Sequence, residues 1–295
     1  METLATMFSS LVEPAVKLSK AAPKVTEDNV YQPGNSKIRP MLDKMVETLV
    51  LPGSGISGME NIRELYSLLC KGRPCLLLME HYSNMDLSLL DCLLRKEEGG
   101  GPIADALVAI AGKKLTEDNP VVAAFASAYT RIVIYPSRSL QGLDPEKDRE
   151  EIQRSSAINR AATRALIRIK EKGSLVLLFP SGTRYRPGDP STKRGVREID
   201  SYIRLFGYMC PVAINGEVLH VGDGDMMDDS VSRDMVRLTA GNIISCSEFR
   251  EKARIKSEEA GIEDKKQAVA DAVMELLEEL HNAAEPERQK LLAKP

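Results

Sequence analysis

An unbroken apolar run that empties into a polar turn constrains this chain more than any other feature. Cys75-Leu-Leu-Leu-Met79 reads as a buried strand closed by Glu80, and Leu87-Ser-Leu-Leu-Asp-Cys-Leu-Leu-Arg95 reads as a helix. Between them lies His81-Tyr-Ser-Asn-Met-Asp86, with Ser83 or Asn84 as the expected N-cap. The block is therefore a strand-to-helix turn, where a carboxylate reaches back to an imidazole. His81 so oriented can take a proton from a hydroxyl, while Asp86 fixes its tautomer and stabilises the imidazolium. Alone, the block fits equally a loop histidine that merely bonds an aspartate at a helix start.

A second block follows roughly a hundred residues later. Leu175-Val-Leu-Leu-Phe-Pro180 is another apolar strand, and it leads into Ser181-Gly182-Thr183-Arg184-Tyr185-Arg186-Pro187. Pro and Gly hold this loop open, and two arginines two positions apart can converge on one anion with forked, charge-assisted donors. In isolation the loop also reads as a solvated polar connection. Its place at a strand end makes it the expected second wall of one site, because ligands of open α/β sheets gather at the carboxyl ends of strands.

The order of these blocks resembles a family. An H-x4-D turn, a Phe-Pro-x-Gly-Thr-Arg loop and then the strand Cys210-Pro-Val-Ala-Ile-Asn215 are the block order of the glycerolipid acyltransferases. Familiar membrane-bound members carry Glu where Ser181 stands. With Ser181 and the sequel Arg184-Tyr185-Arg186-Pro187, the loop is more similar to the soluble glycerol-3-phosphate acyltransferases of plastids. Ala111-Gly-Lys-Lys-Leu115 through Tyr129 to Ser139 also resembles that branch's middle block. The resemblance runs from about Gly58 to Ala284.

The resemblance implies an O-acyltransferase that moves a fatty acyl group to the sn-1 hydroxyl of glycerol 3-phosphate. The donor would be an acyl carrier protein or coenzyme A thioester, used as co-substrate with no further cofactor. In plastid relatives the positions of Arg138, Arg184 and Arg186 belong to a basic phosphate pocket, with Ser139 where they carry a histidine; Lys113 is a weaker candidate, expected in solvent. Ser181, Gly182 and Thr183 would support the site. No nucleophile elbow is present, so direct attack with His81 as base and Asp86 as its orienter is the expected route. Lys193, Arg194 and Arg197 form a basic run, either an exposed helix start or a docking patch for an acidic carrier protein or anionic lipid. A 1-acylglycerol-3-phosphate acyltransferase stays open as the alternative; it shares these motifs but normally carries Glu at the Ser181 position and membrane-anchoring helices.

Composition removes several other classes. A net charge of −3 and a pI near 5.8 give no support for nucleic-acid binding. Five cysteines without a C-x-x-C pair fit buried thiols in a reducing compartment, and His81, His220 and His281 lie too far apart for a structural zinc site. No apolar run approaches the ~20 residues of a membrane span. The amino terminus lacks an Arg-rich leader, so the expected location is cytoplasmic, soluble or in peripheral contact with membrane lipid. A plastid stromal location follows instead if a leader has been removed.

The expected fold is α/β, a mixed central sheet covered by helices on both faces (59–295), with a small N-terminal helical appendage (1–58). The appendage comprises a helix from Thr3 to Lys20, a linker from Pro23 to Pro33 and a helix from about Ile38 to Val50. Beyond Glu248 the pattern is helical, with Val269, Val273, Leu276, Leu277 and Leu280 in one stripe. Gly53-Ser-Gly-Ile-Ser-Gly58 matches G-x-G-x-x-G, which leaves a dinucleotide-binding or scaffold protein as the competing class. Pro52 and the helical character of the residues before it count against that reading.

Overall fold

The computed structural model of the chain describes residues 2–19, 24–140, 142–222 and 227–293. The expected helix end at Lys20 and linker start at Pro23 lie outside the described residues. The strands in chain order are β1 (Tyr31–Gln32), β2 (Gly55–Ser57), β3 (Cys75–Met79), β4 (Leu107–Gly112), β5 (Arg131–Ile134) and β6 (Leu175–Leu178). After them come β7 (Tyr208–Asn215), β8 (Leu219–His220), β9 (Ser230–Val231), β10 (Arg237–Ala240) and β11 (Ile244–Ser245).

Strands β3 to β7 are mutually parallel and form the middle of a mixed sheet, in the order β1-β5-β4-β6-β3-β7-β10-β2. Antiparallel partners close it, β1 on β5 at one edge and β10 and β11 on β7 near the other. A parallel strand buried on both faces carries apolar side chains at every position, which is why the sequence shows runs rather than alternation. The pleat then divides each run between two cores. Leu76 and Leu78 enter one cluster, and Cys75, Leu77 and Met79 enter the other. Helices Arg39–Leu49, Met59–Cys70, Asp86–Lys96 and Pro120–Ala126 cover one face; Arg149–Glu171, Cys246–Glu259 and Lys265–Leu292 cover the opposite one. A mixed sheet between helical layers is the expected fold class.

Register positions the site. Leu78 lies opposite Leu178 in the β3–β6 pair. His81 and Ser181, each three residues further on, therefore leave the sheet side by side.

Two local expectations need correction. The helix expected from Thr3 is two helices, Leu4–Met7 and Ser9–Leu18, broken at Phe8. Leu4 and Ala5, at the start of the first helix, donate their N–H groups to the carbonyls of Asp229 and Met227, 3.0 Å each, and Phe8 at the break is buried in the first apolar cluster. The N-terminal region also places Leu4, Phe8, Ile38, Leu42, Met45 and Leu49 in the first apolar cluster, so its packing is continuous with the sheet. Residues 55–57, inside the G-x-G-x-x-G run, form β2 and pair with Arg237–Thr239. The Gly55 N–H is taken by the Val236 carbonyl, and the preceding element is a helix. Gly58 sits at φ +71°, where a Cβ would stand 2.2 Å from the Ala240 oxygen. These glycines serve close strand packing, which overturns the dinucleotide reading.

Candidate active site

The turn after β3 is organised around one carboxylate. Asp86, 2% exposed, accepts from His81 Nδ1 (2.8 Å), the Tyr82 N–H (2.7 Å), the Ser83 N–H (2.9 Å) and Ser83 Oγ (2.8 Å). An ionised carboxylate offers only lone pairs, so in the neutral imidazole Nδ1 carries the proton and Nε2 keeps its lone pair. The His81 ring stacks on Phe179 from the neighbouring strand end, with centroids 4.2 Å apart. Its carbonyl accepts the Tyr185 N–H at 2.8 Å. Ring and backbone are thus both fixed. The helix starts at Asp86, with Met85 rather than Ser83 or Asn84 in the flanking position. Ser83 Oγ still accepts the Met85 N–H at 3.1 Å, a cap-like bond displaced into the turn.

His81 lines a cavity of about 480 Å3, within the usual size of a small-ligand site. Ser83, Gly182 and Arg138 share its wall, while Leu42, Met45, Phe125, Leu166 and Leu178 supply apolar surface from both sides of the sheet. A base with a free Nε2 at the edge of an apolar cavity can deprotonate a hydroxyl beside a bound hydrocarbon chain.

The loop after β6 is held by its own polar groups. Ser181 is buried, and its Oγ donates to the Thr183 carbonyl at 2.6 Å. Gly182 turns at φ +64° and donates its N–H to Phe179 at 2.9 Å. Arg184 does not stand free. Its Nη1 meets Asp229 Oδ2 at 2.5 Å, and Asp229 is 1% exposed. Arg186 is exposed, with its N–H on Thr192 Oγ1 at 2.9 Å. Arg138, in the turn after β5, lines the cavity and donates to the Ser191 and Arg194 carbonyls at 3.2 and 3.1 Å. Ser139 follows it, its N–H on the Pro136 carbonyl at 3.0 Å.

Two further expectations change. Lys113 is not solvated. Its Nζ lies 2.9 Å from Glu151, 3.6 Å from Glu117 and 4.3 Å from the Tyr135 ring centre. Burial pulls its pKa down, but the bonds to Glu151 and Tyr135 outweigh this and leave it raised. The run Lys193, Arg194 and Arg197 does not present a bare basic patch either. Glu278, Asp271 and Asp264, at the start of and along the C-terminal helix, face these three at 3.8, 3.6 and 3.4 Å.

Sequence reasoning missed several residues. Arg131 opens β5, is 3% exposed, lines the cavity and donates to the Ala126 carbonyl; burial pulls its pKa down to about 10. Asn159 closes the turn after β5, accepting the Tyr135 N–H at 2.8 Å and donating to its carbonyl at 3.0 Å. Glu80, one residue before His81, is buried and bonded to Tyr82 and to His281. A charged residue closing an apolar strand was the available signal for Glu80. No local signal marks Asp229 or His281, whose partners are distant in sequence.

Among solved structures, the 1-acyl-sn-glycerophosphate (LPA) acyltransferase PlsC from Thermotoga maritima is similar over 93% of this chain and 89% of its own. The two are 18% identical, with a TM-score of 0.42. No curated protein matches the sequence. The acyltransferase family model matches residues 55–215, more than half of the chain and the stretch that carries both the His81–Asp86 turn and the Phe179–Pro187 loop. On that match the chain belongs to the acyltransferase family.

Proposed function

We propose that the protein transfers a fatty acyl group from an acyl thioester to the sn-1 hydroxyl of glycerol 3-phosphate. One observation carries the reading, the His81 imidazole held at Nδ1 by buried Asp86 on the wall of an apolar cavity. Nε2 removes the hydroxyl proton as the alkoxide oxygen attacks the thioester carbonyl. The tetrahedral intermediate then expels the thiolate, which takes the proton back from the imidazolium. An ester and a thiol result, with no acyl-enzyme. Base catalysis supplies about 10²–10⁴-fold, and holding both substrates together supplies more.

Glycerol 3-phosphate is favoured as acceptor by Ser181 and by the arginines at two strand ends, which resemble the plastid-type enzymes. A dianion is best held by several forked donors. Arg186→Ala is expected to raise KM for glycerol 3-phosphate about ten- to a hundredfold, the loss of one charge-assisted bond, with KM for the thioester little changed. Arg184→Ala should behave alike when made with Asp229→Asn, so that no buried carboxylate is left unpaired. Inorganic phosphate should compete with the acceptor in the wild type and less in these variants. Arginine variants that raise only the thioester KM would assign these residues to the donor instead.

The second reading is 1-acylglycerol 3-phosphate as acceptor. Its support is a cavity whose apolar lining comes from both faces of the sheet, space that an acceptor's own chain could use. Labelled acyl thioester offered to each acceptor separates the two. Label in 1-acylglycerol 3-phosphate supports the first, and label only in the diacyl product supports the second.

No helix among the described residues is long and apolar enough to cross a membrane. Peripheral contact is the proposed mode. Arg160, Arg164 and Arg168 stand exposed on one helix and have no ion-pair partner among the described residues. Binding to anionic vesicles should therefore weaken as salt rises. Sedimentation with vesicles at low and high salt checks this, and binding that resists salt contradicts it.

A further inference from the structure

The buried carboxylate of Glu80 stands immediately before His81 and plays no part in proton transfer as described. Its oxygens are fully engaged by three elements. Oε1 accepts the Tyr82 hydroxyl at 3.0 Å, while Oε2 accepts the Ile214 N–H at 2.8 Å and His281 Nδ1 at 2.9 Å. The Glu80 N–H extends the β3–β7 ladder to the Val212 carbonyl at 3.1 Å. His281 comes from the Lys265–Leu292 helix, two hundred and one positions away in sequence. That helix is itself tied to the end of β7, where Asn215 Nδ2 donates to the His281 carbonyl (3.1 Å) and to Glu285 (2.8 Å).

The tie reaches both sides of the proposed base. Upstream of His81 it holds Glu80. Downstream it holds Tyr82, whose ring meets Tyr185 edge-on at 6.0 Å, and Tyr185 in turn donates to the His81 carbonyl. Burial and the Glu80 charge push the Tyr82 phenol well above its usual range, so it stays a donor.

We propose that His281 is a positioning residue for acyl transfer: from the C-terminal helix it clamps Glu80, and through Glu80 it fixes the turn that aims His81. The proposal rests on the reading of His81 as base. The groups facing His281 are Glu80 after β3, Tyr82 on the turn, Lys193 from the Pro190–Lys193 turn and Glu285 on its own helix. The hydrogen bond to Glu80 is the main cause that raises the His281 pKa from 6.5, opposed by burial. Loss of the Nε2 proton leaves Nδ1–H on Glu80. A raised folded pKa therefore means that the charge-assisted part of the clamp is fully present below the unfolded value and is lost as pH rises through the folded one, while the neutral hydrogen bond stays. Turnover should then show an alkaline limb that belongs to His281.

The test measures kcat and both KM values against pH for wild type, His281→Gln, His281→Ala and His81→Ala, with the thermal midpoint of each. Gln donates an uncharged N–H at any pH, as neutral imidazole does, so His281→Gln should hold turnover near the wild-type level on the alkaline side and show no alkaline limb. His281→Ala should lose about ten- to a hundredfold in kcat, the cost of a misplaced catalytic group, with both KM values nearly unchanged. An alkaline limb that persists in His281→Gln overturns the proposal, as does normal kcat in His281→Ala. If His281→Ala does not fold, the Gln profile decides alone. His81→Ala keeps the two readings apart. Inactive His81→Ala beside normal His281 variants sinks only the clamp, whereas active His81→Ala sinks the base assignment itself.

Discussion

His81→Ala is expected to fold normally and to lose at least about 10²-fold in kcat, the lower range of general-base catalysis. Both halves follow from the turn. Asp86 keeps three donors after the imidazole is gone, the Tyr82 and Ser83 N–H groups and Ser83 Oγ, so the local backbone retains its tie. The His81 carbonyl still accepts from Tyr185, and the loss of one ring stacked on Phe179 is a partly exposed contact. What disappears is, among the described residues, the only imidazole on the cavity wall. KM values should move little, because substrate binding is assigned to other groups. Kinetics and a thermal melt on the same preparation check both parts, and near-normal turnover in a folded variant ends the mechanism.

Asp86→Asn is expected to be nearly as severe, with a fall in kcat on the order of 10²–10⁴-fold, as befits an orienting carboxylate in a His–Asp pair. The geometry makes this substitution informative. Oδ2 accepts three bonds and Oδ1 one, from Ser83 Oγ. An asparagine can place its oxygen at the Oδ2 position and turn its amide toward Ser83 Oγ, which can also accept. The turn then survives and only the negative charge is lost. The imidazolium formed during proton transfer loses its stabilising partner. Asp86→Ala differs in kind, since several buried donors lose their acceptor at about 1–3 kcal/mol each. Comparing thermal midpoints and kcat for the two variants separates charge from scaffolding. Asp86→Asn with wild-type kcat would show that the carboxylate is only structural.

The central strands and the paired histidine and aspartate were legible in the sequence for the same physical reason. Strands buried on both faces must be apolar at every position, so Cys75–Met79 and Leu175–Leu178 stand out, and the polar turns that follow them are the places where chemistry is positioned. The long helices were legible from their apolar stripes. The edge strands were not. Two- and three-residue segments such as Tyr31–Gln32 and Gly55–Ser57 show no period, and pairing alone makes them strands. The break at Phe8 was hidden because neither glycine nor proline stands there to mark it. Within the site, the sequence placed Arg184 at a strand end but could not show that Asp229 holds it, 45 positions later in the chain. His281 was hidden likewise. Its chemistry depends on Glu80, which a reader of the chain meets as the last residue of a strand.

The central claim is direct, His81-catalysed transfer to a phosphorylated glycerol. Labelled acyl thioester and glycerol 3-phosphate, incubated with wild type and with folded His81→Ala, test it in one assay of the lipid product. The expected result is label in 1-acylglycerol 3-phosphate with the wild type and at least about a 10²-fold lower rate with the variant. No labelled product from wild type, or an equal rate from both proteins, would contradict the account.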